Sequence, residues 1–401
     1  MRATNWLYGM RMQTRCALLF ALGCSKDPSG VTNRGVTERW YQVQVREARA
    51  RPAILGNIAY FGTGDGNVVG RDRASGTTIW STRVGGDAIS GANIVARVGV
   101  VVAASVFSTS GLDAQTGLLL WSYQAPLDTT GVPPAEFQPG TLIDSRMDAD
   151  DNMVYIPAWG ASVSAVDLHS GVVKWVWHLG KLTGDTAQSG TFRSGSMGVR
   201  VSGDTVFATA WHYLNRAGGH SEALVIAIDR TSGTELWQVS LPSSGSGVDI
   251  EAAPVVYKGL VIAHTLSGAT YGIDRSSQQV VWQHVASDAS LSTIAGPELH
   301  GDTVYVDGGN RHVFALSALD GSILWASAFE SATSRDMLVT DRRVVFTNGG
   351  TLFIINRLDG VSIAALAQPR SSDPLFASPA AYSAGDIFVS VANAAWCFAE
   401  P

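Results

Sequence analysis

An all-β propeller of eight four-stranded antiparallel blades is the fold this sequence predicts. Three observations predict it: one short phrase repeated along the chain, alternating apolar segments before each copy, and chain ends that look like two parts of one repeat. The phrase is clearest at residues 229–237, D-R-T-S-G-T-E-L-W. Asp229 opens a tight turn, because its short carboxylate can accept hydrogen bonds from backbone N–H groups two residues on. Gly233 supplies the left-handed conformation that such a hairpin needs, and Trp237 lies on the returning strand. The phrase recurs as Asp72, Gly76, Trp80; as Asp113, Gly117, Trp121; and as Asp167, Gly171, Trp175. It returns as Asp274 and Trp282 with Gln278 in the glycine's place, as Asp320-Gly321 and Trp325, and as Asp359-Gly360 with Ala364 where a Trp would stand. A period of roughly 40–60 residues marks stacked supersecondary units.

Each unit is justified in the same way. Before the phrase lie apolar stretches with turn signals between them, for example Val255-Val256, then Leu260–His264, then residues 270–273. With the Trp strand they make four short strands, the composition of a propeller blade. Residues 35–45, G-V-T-E-R-W-Y-Q-V-Q-V, match the second half of a repeat and have no strands before them. Residues 380–382, 386–391 and 394–398 offer three strands with no outer one. Each end supplies what the other lacks, so the propeller should close by an N-terminal strand completing the C-terminal blade, which removes exposed sheet edges. The fold then occupies 35–401 as one domain, with a monomeric ring expected.

Composition agrees and excludes some classes. The chain is 46% hydrophobic and 15% charged, with 43 Gly, which suits strands, turns and a large core. Its net charge of −6, with Lys and Arg scattered, argues against a nucleic-acid surface. Of the three cysteines, Cys16 and Cys24 precede the fold and Cys397 stands alone, so no structural disulfide is expected. No Cys/His set has zinc-ligand spacing.

Residues 1–24 read as a secretory signal: Arg2, Arg11 and Arg15, then the apolar run 17–22, then Gly23-Cys24. The run is too short to span a bilayer, and Met10 or Met12 are alternative starts. The ending A-L-G-C resembles the bacterial lipoprotein cleavage box, which implies lipidation of Cys24; Ala21 stands where Leu is usual. Ordinary cleavage, releasing a soluble periplasmic or extracellular protein, is the alternative. Residues 25–34, with Pro28 and Gly30, read as a flexible tether.

Repeat lengths point to a functional face. The excess residues gather at 126–139, 180–197 and 211–221. The first two join an outer strand to the next blade's inner strand, and the third joins the second and third strands of one blade. In an up-and-down blade these connections emerge on one face, and insertions grouped on one face of a repeat protein mark its binding face. Trp211, His212 and Tyr213 sit in the third insertion, where an exposed aromatic loop would anchor a partner or a glycan; the same loop tucked onto the propeller is the plainer reading. The repeat tryptophans are structural wedges between blades rather than a substrate platform.

The D-x-x-[ST]-G-x-x-x-W phrase resembles the repeat of quinoprotein-type propellers over nearly all of 35–401. That superfamily implies two functions. One is dehydrogenation with pyrroloquinoline quinone on the propeller axis, beside a calcium or lanthanide. The other is that of the non-catalytic outer-membrane lipoproteins of the BamB type, part of the β-barrel assembly machine. Quinoprotein alcohol dehydrogenases carry an adjacent Cys–Cys pair that this chain lacks; Glu251, Asp307 and Asn310 are the metal-ligand candidates, with no motif joining them. The BamB-type reading implies no cofactor and no metal, and a periplasmic protein partner, the barrel-forming subunit of the machine. Its acidic segment is matched by V-D-I-E-A-A-P-V-V, residues 248–256, which places Asp249 and Glu251 at the partner-contacting positions. Its basic position falls on Arg193 in F-R-S-G-S, where Gly195-Ser196 replace Gly-Glu. For each of the three a plain surface role is the alternative, since an exposed ion pair contributes under ~1 kcal/mol.

Overall fold

The computed structural model describes residues 36–44, 50–85, 89, 93–105, 108–125, 146–158, 162–179, 194–213, 221–242, 250, 252–286, 295–308, 311–329, 337–348, 351–367, 378–391 and 393–401. The repeated phrase forms the turn expected of it. Asp229 Oδ1 accepts from the backbone N–H of Thr231 (3.1 Å) and Ser232 (2.7 Å) and from Ser232 Oγ (2.8 Å), and Gly233 sits at φ +73°. The backbone and hydroxyl hydrogen bonds of Ser232 hold the Asp229 carboxyl below its ordinary range. Asp72, Asp113, Asp167 and Asp274 are held in the same way. Gln278 adopts φ +59°, so it takes the left-handed backbone that glycine holds in the other copies.

Two copies are built in a different register from the one the sequence suggests. In the sixth, Gly321 N–H bonds to Ser317 O, so Ser317 holds the position of Asp229 and Asp320 that of Ser232. In the seventh, Gly360 N–H bonds to Asn356 O and Leu358 N–H bonds to Asn356 Oδ1, so Asn356 opens the turn. The carboxylate and the hydroxyl or amide have exchanged places, and the turn is unchanged because either end can supply the acceptor.

Among the described residues the strands form eight four-stranded antiparallel sheets. Seven are consecutive along the chain, from blade 1 at 53–83 to blade 7 at 338–366; their strands are called A to D from the axis outward. Neighbouring A strands approach one another around the axis. B and C strands are buried almost throughout, whereas D strands alternate, as in Leu119–Tyr123. The alternation reflects one face against the next blade and one in solvent.

The D-strand tryptophan joins each blade to the next. Trp80 lies across Gly70 of its own C strand and beneath Gly117 of the following turn; a Cβ on either glycine would come within 2.5 Å of the indole. Trp80 Nε1 donates to Ala114 O in that same turn, at 3.1 Å. Trp40, Trp121, Trp175 and Trp325 repeat the bond to Arg73, Leu168, Arg230 and Arg357 carbonyls at 2.8–3.0 Å. Burying some 200 Å² of indole contributes on the order of 5 kcal/mol per joint before entropy is counted.

Blade 8 closes the ring. Its D strand is Glu38–Val43, paired antiparallel with Ala394–Ala399, with Trp40 opposite Cys397, and Ala381–Ser383 is innermost. A pairing of chain ends replaces the C–D turn here, so blade 7 has no turn to wedge a tryptophan under. That accounts for Ala364. The space is filled from the other side by Trp396, fully buried in one cluster with Ala364, Leu366 and Phe398.

Candidate interaction face

The alternating strand directions place every B–C and D–A connection on one face, and among the described residues the blade 4 strands extend furthest toward it. Its A, B and C strands run Ser194–Ser202, Thr205–Tyr213 and Ser221–Asp229, nine residues each, against five or six for most B and C strands. In blade 3 the B–C pairing ends at Ala158 with Ser162; in blade 4 it continues to Tyr213 with Ser221. Aligned on Tyr155 and Phe207, which each pair with the A strand, the difference is three residues, or roughly 10 Å of strand. The described ends of the insertion, 211–213 and 221, are therefore strand that lengthens the hairpin, and 214–220 lie outside the described residues.

This corrects the exposed aromatic loop. Trp211 is a strand residue only 6% exposed. It packs with Phe207, Ala223, Leu241, Ile250 and Tyr271 between blades 4 and 5, and so stiffens the hairpin from within. A buried indole offers no ring face to a glycan. Tyr213 ends the same strand, and its side chain lies outside the described residues.

Beside the hairpin is the acidic segment. Asp249, Glu251 and Arg193, like Cys24, lie outside the described residues, but the chain around the two acids is held firmly. Leu241 and Ile250 are both buried in the cluster that contains Trp211, and Tyr271 Oη donates to Pro242 O at 2.8 Å. Thr209 Oγ1 donates to Ala252 O at 2.7 Å, and a Cβ on Gly198 would lie 2.5 Å from Ala253 Cα. The A and B strands of blade 4 thus clamp 252–253, fixing where the loop re-enters blade 5.

The axis holds residues that the sequence reading missed. Arg51 from blade 1 reaches Glu298 of blade 6 at 2.6 Å and also donates to Met337 O of blade 7. Arg146 from blade 3 approaches the same Glu298 oxygen at 3.5 Å. One carboxylate and two guanidiniums, from blades far apart around the ring, meet on the axis. A signal was present: Arg51 and Arg146 each stand two residues before an A-strand residue paired with a B-strand tyrosine, Ala53 with Tyr60 and Asp148 with Tyr155. Their meeting with a glutamate some 150–250 residues on is not readable from spacing.

A quinone bound on the axis would have to share it with this ion network of Arg51, Arg146 and Glu298. Of the metal-ligand candidates, Glu251 and Asn310 lie outside the described residues, and Asp307 is buried at the end of a blade 6 strand. Among the described residues no three His, Cys, Asp or Glu side chains are grouped to hold a metal. Asp307 instead acts on His264, which occupies the same B-strand position one blade earlier. Burial pulls His264 down to about 4, opposed by the Asp307 charge, and its Nδ1 lies 2.9 Å from Thr270 Oγ1. Burial also lowers His284 nearby.

The family described as "Outer membrane protein assembly factor BamB" matches this chain at residues 30–213, 111–282 and 221–395. The outer membrane protein assembly factor BamB of Moranella endobia (strain PCIT) is 21% identical over 288 residues, 70% of this chain and 64% of that protein, so the match spans less than two thirds of that relative's length. Among solved structures, BamB from Moraxella catarrhalis superposes with a TM-score of 0.65 at 16% identity, covering 91% of this chain and 100% of that one. Quinohemoprotein alcohol dehydrogenase from Comamonas testosteroni superposes equally well, at 0.65 and 13% identity over 92% of this chain and 78% of the other. At such identities the superpositions speak to fold alone.

Proposed function

The chain belongs to the outer membrane protein assembly factor BamB family, and from that premise we propose that it is a lipid-anchored, non-catalytic scaffold in outer-membrane protein assembly. It works at the periplasmic face of the outer membrane, held there through Cys24. The face carrying the B–C and D–A connections captures a periplasmic protein partner, and the barrel-forming subunit of the assembly machine is the partner the family relation favours. Arg193, Asp249 and Glu251 make the polar contacts, with Tyr213 at the tip of the blade 4 hairpin. Trp211 contributes from beneath by stiffening that hairpin.

One observation carries this reading: among the described residues the longest B–C pairing, in blade 4, lies against Ile250 and residues 252–253, the immediate neighbours of the two acidic positions. A protruding element on a rigid frame loses little conformational freedom on binding, which favours capture. No redox step is assigned, and a quinone on the axis would have to share it with Arg51, Glu298 and Arg146. The test is capture of partners by crosslinking in cells from the tagged chain, compared with Asp249→Lys and Glu251→Lys. Recovery of an outer-membrane barrel protein that falls at least tenfold in the variants, with unchanged melting, supports the reading. Equal recovery from both would remove these residues from it.

A further inference from the structure

We infer that the opposite face, at the rim of blades 6 and 7, rests on the lipid bilayer. It rests on the lipid-anchor reading above for its source of proximity, and on two features of the rim and the entry point of the chain for its location.

The first is apolar turn tips. The second residue after the turn-opening one is Ala74, Gln115, His169, Thr231 and Ser276 in five copies, but Leu319 and Leu358 in blades 6 and 7. These two leucines are 65% and 73% exposed. The second is continuity. Trp325 Nε1 bonds to Arg357 O, which seats the blade 6 outer strand, with exposed Ile323 and Leu324, against the blade 7 turn that carries exposed Leu358 and Val361. Clustered exposed apolar side chains of this kind mark an interaction surface; Leu118, Leu119 and Leu120 of blade 2 form a comparable run, so the entry point of the chain decides between the two.

The third feature points to lipid as the occupant. The D strand of blade 8 starts at Glu38 on this same face, and Val36 just before it packs against the core between blades 7 and 8. The chain therefore reaches the ring next to blade 7. Cys24 precedes Val36 by twelve residues, which span at most about 40 Å when fully extended. An acylated Cys24 holds a bilayer within that distance of Val36, at the blade 7 side of the ring. Arg357 is turned inward onto Asp341 O and Tyr305 Oη. Exposed Arg342, which donates to Pro401 O through one nitrogen, is the cation at the foot of Leu358 that can meet a headgroup phosphate as the leucines enter the acyl boundary. Asp320, Asp341 and Asp359 share the rim, so the attraction comes from the apolar side chains and should survive high salt.

The experiment uses the mature protein purified from membranes and reconstituted with vesicles of phosphatidylethanolamine and phosphatidylglycerol at 3:1. An environment-sensitive fluorophore is placed on Leu319→Cys, on Leu358→Cys and, as a control of equal exposure on blade 2, on Leu118→Cys. The expected result is a blue shift and quenching by lipid-borne quenchers at 319 and 358, retained in 0.5 M salt (about 4 Å screening length), with 118 unchanged. Aqueous spectra at 319 and 358 on anchored protein would overturn the inference and leave the anchor standing. If the mature N-terminus carries no acyl chains, flotation with the vesicles that Leu319→Asp with Leu358→Asp abolishes sustains the lipid face alone; absence of flotation overturns both.

Discussion

Single residues decide whether each turn can form, and they do so by two separable effects. Gly203 and Gly233 both have positive φ, +63° and +73°, but a Cβ on Gly203 meets nothing within 4 Å while one on Gly233 would lie 2.6 Å from the Trp175 ring. Gly203→Ala should therefore cost only the left-handed backbone, about 1 kcal/mol. Gly233→Ala should cost at least 2 kcal/mol more, because the indole is fixed by its bond to Arg230 O; equal urea midpoints would refute the wedge. Gln278→Gly relieves a non-glycine at φ +59° and should stabilise by about 1 kcal/mol. His264 makes a pH prediction. Its folded value lies below the unfolded 6.5, so the unfolded chain binds more protons, and stability is full above pH 6.5 and falls as pH drops toward about 4. His264→Gln should flatten the urea midpoint over that window; an unchanged slope would mean the histidine does not titrate in the way its burial implies.

Elements show what was legible in sequence and what was not. The Trp phrase announced the blades, and the half repeat at 35–45 announced the closing strand, because both rest on local turn chemistry and strand alternation. The shift of Asp to the fourth turn position in blades 6 and 7 escapes the pattern, since S-x-x-D-G and N-x-x-D-G close the same turn as D-x-x-S-G. Trp211 follows the tucked-in alternative rather than the exposed one: an aromatic beyond the repeat looks like loop, whereas three added strand residues carry the core outward with them. Arg193, Asp249 and Glu251 were reached only through family resemblance, as single polar residues in loops have no periodicity to announce them. The seam between blades 7 and 8 gives the test at this scale. Trp396→Ala should cost about 3–5 kcal/mol by leaving a cavity beside Ala364. Ala364→Trp, which restores the repeat by sequence, should destabilise by about 1–3 kcal/mol, since Trp396 already fills the space.

For the whole molecule, the division of labour is between a braced axis and two rims. Glu298 ties blades 1, 3 and 6 across the axis, contacts no closed ring of neighbours can replace. Removing one partner of a buried pair costs about 3–5 kcal/mol; with side chains here 6–23% exposed, Glu298→Ala should cost nearer 2 kcal/mol by urea denaturation. A rigid ring of this kind lets one face meet a partner while the other faces the membrane from which the chain is tethered. The most direct test of that arrangement is site-specific photocrosslinking in cells, with the reactive residue placed in turn at Glu222 on the blade 4 hairpin, at Glu251, and at Thr231 on the opposite turns. The account predicts adducts with one outer-membrane barrel protein from Glu222 and Glu251 and none from Thr231. Adducts from Thr231 alone would contradict it.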